Sequence, residues 1–93
     1  MNIDLKNQIA VITGASKGIG VSLVEEFSNN NCNIWACART KTNEFIDYCK
    51  KLEDQNNIFV RPIFFNLNDY NEIKSSIDHI NKNSEKIDHL INN

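Results

Sequence analysis

The sequence predicts an α/β fold, a doubly wound sheet of parallel strands with helices between them. Two observations carry this prediction. Short, continuous apolar runs, as strands buried on both faces require, alternate with stretches whose apolar residues recur at helical spacing. The order reads βαβαβαβ over 93 residues, with no internal repeat and no linker. Such alternation implies a parallel sheet with right-handed helical crossovers.

The elements follow in turn. Residues 9–13 (Ile-Ala-Val-Ile-Thr) form a β-branched strand, and a glycine-rich turn interrupts the chain up to Gly20. From Ile19 onward, Leu23, Val24 and Phe27 recur on one helical face while Glu25 and Glu26 point outward. The polar cluster 28–33 ends that helix, and residues 34–38 give a second buried strand. Thr42 or Asn43 can cap the next helix, which turns Phe45, Tyr48, Cys49 and Leu52 inward.

Residues 58–65 form a third strand that contains Pro62. Proline cannot donate to a sheet ladder, so this strand belongs at an edge. Asn68 or Asp69 caps a third helix, Asp69 and Glu72 make a capping-box-like pair, and Tyr70, Ile73, Ile77 and Ile80 line its apolar face. Residues 87–91 make a fourth strand. A Rossmann arrangement would order the strands 3-2-1-4, which puts the proline-bearing strand at the edge independently.

A chain this short is one domain at most, and its 41% hydrophobic and 24% charged residues are ordinary for a globular protein. The net charge of −2 attracts neither nucleic acid nor an anionic membrane over the whole surface. Cys32, Cys37 and Cys49 form no CxxC pair and leave an odd count. A disulfide framework is therefore not expected, and the thiols are expected to be small buried or half-buried apolar groups in a reducing compartment. His79 and His89 show no metal-ligand spacing with them. No signal pattern and no apolar run of about 20 residues is visible, so a cytoplasmic protein is expected.

The chemistry concentrates in Thr13-Gly-Ala-Ser-Lys-Gly-Ile-Gly20, between the first strand and the first helix. Gly14 lets the chain turn sharply. Gly18 removes a side chain where backbone must approach a pyrophosphate, and Gly20 permits close helix–strand packing. The freed N–H groups of the loop, which includes Ser16 and Ile19, and the positive helix end then face an anion. The plain alternative is a glycine-rich turn without a ligand. A kinase-like phosphate loop is excluded, because Lys17 is followed by Gly18 and not by Ser or Thr.

The spacing TGxxxGxG resembles that of the short-chain dehydrogenase/reductase family, most closely its 3-oxoacyl-(acyl-carrier-protein) reductase branch. The resemblance spans the visible chain and implies that residues 1–93 are the N-terminal, cofactor-binding half of a single Rossmann domain. It also implies a homo-oligomeric parent and a small-molecule or acyl-carrier-linked carbonyl substrate.

The end of the second strand separates NAD from NADP. An acid there would accept bonds from the ribose hydroxyls of NAD and repel a 2′-phosphate. The residues are Ala38-Arg39-Thr40, and Arg39 offers a planar charged donor set. Lys17 can approach the same phosphate from the glycine loop. Basic residues at these two positions resemble the NADP-preferring pattern, so NADP(H) is the expected cofactor; the alternative is two solvated surface cations.

Asn66-Leu67 stands where many family members carry an Asp that accepts from the adenine amino group. Asn66 is a departure, although its amide oxygen can still accept, and its alternative role is turn formation. Residues 88–93 resemble the family's D-x-L-V-N-N-A-G segment, whose asparagines steady the central strand and border the adenosine ribose, a role that falls on Asn93.

The family's Asn-Ser-Tyr-Lys set for reducing carbonyls is expected beyond residue 93. One Tyr-x-x-x-Lys match, Tyr70 to Lys74, lies in the third helix and is read as a core tyrosine with an exposed lysine. Such a chain is expected to expose its fourth strand's edge, to be marginally stable and to be catalytically silent. Two alternatives to the reductase stand beside it: a non-catalytic Rossmann module that binds or senses NADP(H) or mediates assembly, and a truncated product with no function of its own.

Overall fold

The computed structural model describes residues 3–93; residues 1 and 2 of the expected domain lie outside the described residues. The elements are β1 (Ile9–Ile12), α1 (Gly18–Asn29), β2 (Asn33–Ala38), α2 (Asn43–Asn56), β3 (Val60–Phe64), α3 (Tyr70–Asn83) and β4 (His89–Ile91). All pairings are parallel, in the order β3-β2-β1-β4. Register pairs Val11 with Trp35 and Leu90, and Trp35 with Arg61.

Alternation along the central strands builds two cores. Ala10, Ile12, Ile34, Ala36 and Val60 face α1 and α2, where Val24, Phe45, Cys49 and Leu52 meet them. Val11, Trp35, Cys37 and Ile63 face the other way, toward Ile80 of α3. Helices on both faces keep the middle strands dry, which explains their continuous apolar sequence. Trp35, the largest fully buried side chain, satisfies its indole N–H on Ser84 Oγ at 2.7 Å. All three thiols are buried and free, as expected of small apolar groups.

Pro62 lies on the edge strand, opposite Ala36. The Phe59 carbonyl accepts from Ile34 and the Phe65 N–H donates to Ala38. Odd-numbered residues therefore bond to β2, and Pro62 turns its nitrogen to the open side, where no ladder bond is lost. The turns into β1, β2 and β3 place Asn7, Asn31 and Asn57 at φ 67°, 71° and 56°. Asparagine tolerates this left-handed region better than any residue but glycine.

Caps define two of the helices. Thr42 accepts the Phe45 N–H at 3.1 Å, settling the choice between Thr42 and Asn43. Asp69 accepts the N–H groups of Asn71 and Glu72. The expected reciprocal bond from Glu72 to the Asp69 N–H does not form, because that N–H donates to the Asn66 carbonyl. Glu72 reaches back one step further, to the Asn66 N–H at 3.2 Å.

The first, third and fourth strands are shorter than their apolar runs, and the second gains Asn33: Thr13 already belongs to the turn, and residues 58, 59, 65, 87 and 88 flank the ladders. The apolar face of α3 is also narrower than expected. Of its four apolar residues only Ile80 is buried, while Tyr70 is 74% exposed and Ile77 lies open. The first turn of α3 stands off the sheet, and an apolar stripe by itself does not say how far along a helix the sheet extends. At the edge opposite β3, Leu90 of β4 is exposed. Among the described residues, no helix is long and apolar enough to cross a membrane.

Candidate cofactor-binding site

A parallel sheet brings the C-terminal ends of all its strands to one side, and there the chain gathers residues 13–20, 39–40, 65–68 and 92–93. The glycine loop is fixed from several directions. Ala15, fully buried, donates its N–H to the Cys37 carbonyl at 2.9 Å. Thr13 donates its N–H to Ile91 O at 3.0 Å, and its hydroxyl accepts the Asn93 N–H at 3.1 Å. The Asn93 side chain donates Nδ2–H to the Gly14 carbonyl at 3.2 Å.

The three glycines do different work. Gly14 and Gly18 adopt φ 60° and 51°, the left-handed region that glycine occupies without a side-chain clash. Gly20 packs so closely that a Cβ there would overlap the Gly14 carbonyl oxygen and lie 2.9 Å from Asn93 Nδ2. At Gly18 a Cβ would meet nothing within 4 Å. The space before Gly18 is open, as an approaching ligand requires.

Helix α1 differs from α2 and α3 in having no side-chain cap. Among the described residues, the backbone N–H groups of Ser16, Lys17, Gly18 and Ile19 have no protein acceptor, and no acidic side chain lies in the first turn. Unpaired donors at the positive end of a helix form an anion cradle.

Three recesses flank this cradle, one of which, beyond Ser16, Lys17 and Thr40, has Glu44 and Tyr48 on its wall. A cleft of about 330 Å³ has apolar walls from Cys37, Ala38, Phe65 and Leu67, with Asn66 and Asn93 among its polar groups. Beside it, Gly14, Ser16, Lys17, Arg39 and Thr40 line a second recess that carries two cations and no carboxylate. Lys17 and Arg39 are exposed, and among the described residues neither is held in an ion pair. Burial pushes the Cys37 thiol up to about 12, so it serves as wall and not as nucleophile.

Asn66 is tightly engaged. Its N–H donates to Glu72 Oε1, its carbonyl accepts from Asp69, and its Oδ1 accepts the Asn68 N–H at 2.9 Å. The turn-forming role is therefore real, and the second lone pair on Oδ1 and the Nδ2–H donors remain for a ligand.

The sequence profile described as short chain dehydrogenase matches residues 8–93. This chain belongs to the short-chain dehydrogenase family. It is 35% identical over 86 residues to the 3-oxoacyl-(acyl-carrier-protein) reductase of Buchnera aphidicola, covering 92% of this chain and 34% of that protein. It is 30% identical over 89 residues to the 7alpha-hydroxysteroid dehydrogenase of Paraclostridium sordellii, covering 96% of this chain and 33% of the other. The chain thus spans about a third of the length of these curated relatives. The solved structure of L-sorbose reductase from Gluconobacter frateurii, complexed with NADPH and L-sorbose, superposes with a TM-score of 0.87 at 22% identity. It covers all (100%) of this chain and 35% of that one, a likeness of fold.

Within this short-chain dehydrogenase framework, Gly14, Arg39, Asn66, Leu67 and Asn93 meet around the apolar-walled cleft. Ser16, Lys17 and Thr40 join Gly14 and Arg39 at the cationic recess. Gly18 and Ile19 open α1, and Gly20 sits behind the loop and lines neither recess. Tyr70 and Lys74 also lie outside both. Sequence reasoning overlooked Cys37, Phe65 and Asn68, which line the apolar-walled cleft. Their position at the C-terminal ends of parallel strands was the available signal.

Proposed function

We propose that this chain binds NADP(H) as the N-terminal, cofactor-holding half of a short-chain oxidoreductase that reduces a carbonyl group. One observation carries the cofactor choice: Lys17, Arg39 and Thr40 share a recess beside the glycine loop that has no carboxylate. A 2′-phosphate there meets two positive charges, whereas a free ribose hydroxyl finds no acidic acceptor among the residues lining that recess, Glu44 standing in the next one. The pyrophosphate is taken by the N–H groups of residues 16–19, and the base by the cleft between Ala38 and Leu67.

The bound nicotinamide supplies the hydride, and the residues of this chain orient the cofactor and neutralise its phosphates. The relatives are named for steroid and acyl-carrier-linked substrates, and L-sorbose lies in the sorbose reductase complex. The substrate class proposed is accordingly a small-molecule or acyl-carrier-linked carbonyl, acted on by a homo-oligomeric parent in the cytoplasm. Taken alone, the chain binds cofactor without turning over a ketone.

Titration of the protein with NADPH and NADH tests the reading. Loss of a charge-assisted contact together with a new like-charge repulsion predicts that Arg39→Asp weakens NADPH at least about thirtyfold and NADH less than about threefold. Equal losses for both nucleotides overturn the assignment.

A further inference from the structure

We propose that Glu44 is a counter-ion for Lys17 and thereby tempers the preference of the cationic recess for a 2′-phosphate. The inference rests on the reading of that recess as the phosphate site. Glu44 acts on the cation, however, and needs no contact with the nucleotide.

Lys17 lines two recesses, the cationic one with Arg39 and the neighbouring one with Glu44. Among the described residues on the wall of the neighbouring recess, Lys17 is the only cation and Glu44 the only carboxylate. Arg39 and Lys41 are not part of that wall. Tyr48 is, but its hydroxyl donates to Glu25 Oε2 at 3.1 Å and so is not given to Glu44. Among the described residues the Glu44 carboxylate has neither a hydrogen bond nor an ion pair, and no ion pair holds Lys17.

The two partners differ in freedom. Thr42 caps α2 through the Phe45 N–H, which sets Glu44 in the first turn, where the positive helix end favours a carboxylate. Lys17 is exposed and carries its ammonium on a flexible stem. Standing between the two recesses, that ammonium turns toward Glu44 when no phosphate is present. A 2′-phosphate must draw it away, so Glu44 weakens the binding of NADPH. NADH brings no charge to the cationic recess and is insensitive to Glu44. Arg39 shares no wall with Glu44 and keeps its whole contribution.

The test titrates NADPH and NADH against the wild-type protein, Glu44→Gln, Lys17→Gln and the double variant. Exposed ion pairs are weak, so Glu44→Gln is expected to tighten NADPH about threefold and to change NADH by less than about 1.5-fold. Unchanged NADH affinity also reports that each variant is folded. In the Lys17→Gln background the gain for NADPH should vanish, and in wild-type background high salt should shrink it. Equal gains with and without Lys17 would mean that Glu44 repels the phosphate directly, and they overturn the proposal. So does an unchanged NADPH affinity in Glu44→Gln, or a loss of NADH affinity there, which would make Glu44 an acceptor for the ribose. In these cases a selective NADPH loss in Arg39→Asp keeps the phosphate reading in place. Wild type that binds neither nucleotide, or an Arg39→Asp variant that loses both alike, overturns the two together.

Discussion

Asp88 and Ile9 are joined twice: the Asp88 N–H donates to the Ile9 carbonyl at 2.8 Å, and the Asp88 carboxylate accepts the Ile9 N–H at 2.8 Å. This pair closes the start of the β1–β4 ladder just before its first register pair, Ala10 with His89. The Ile9 N–H, and after it the Lys86 ammonium, hold the Asp88 carboxyl below its ordinary range.

A depressed folded-state value means that the charged form favours folding. The stabilisation is complete above the ordinary carboxylate range and disappears as pH falls through the lowered folded value. Urea midpoints measured from pH 7 downward should therefore fall more for wild type than for Asp88→Asn. The asparagine oxygen still accepts from Ile9, but it no longer titrates. Parallel acid profiles for the two proteins would refute this role for Asp88.

Tyr70 provides a second test, because its side chain is 74% exposed and takes part in none of the three recesses. Tyr70→Phe and Lys74→Ala should each change stability by no more than about 0.5 kcal/mol, as surface substitutions do. NADPH affinity should be unchanged in both. Thermal unfolding and fluorescence titration read the two quantities, and a large loss in either would return a functional role to this Tyr-x-x-x-Lys pair.

The same residue shows where the sequence stops being legible. The edge position of β3 followed from Pro62, since one missing N–H constrains a strand to an edge wherever the rest of the chain goes; the full order came from the Rossmann arrangement. The glycine loop was readable because each glycine answers a local demand of backbone or space. Tyr70 was misplaced because its burial depends on how far the sheet reaches beneath α3, a tertiary fact that helical periodicity does not encode. Asn66 shows a third case. Its turn role follows from local chemistry, but the occupation of its oxygen by Asn68 and of its N–H by Glu72 depends on the exact path of the loop. The cleft walls at Cys37 and Phe65 were hidden for a similar reason: apolar strand residues look alike until the strand ends are known.

The glycines separate folding from binding in a way that two substitutions can measure. At Gly20 an added methyl must displace the Gly14 carbonyl, which also accepts from Asn93 Nδ2, so the contact between loop, helix and β4 would have to open. Gly20→Ala should cost about 1–3 kcal/mol of stability, comparable to overpacking a tight core. At Gly18 the methyl meets no protein atom, so the fold feels only the left-handed backbone, worth about 1–2 kcal/mol. That methyl instead occupies the approach to the free N–H groups of residues 16–19. Gly18→Ala should thus remain folded and lose at least about tenfold in NADPH affinity, the equivalent of 1.4 kcal/mol. Denaturant unfolding and nucleotide titration of the two variants should rank them in opposite orders of damage per unit of lost stability. Gly18→Ala binding NADPH as wild type does would place the phosphates elsewhere.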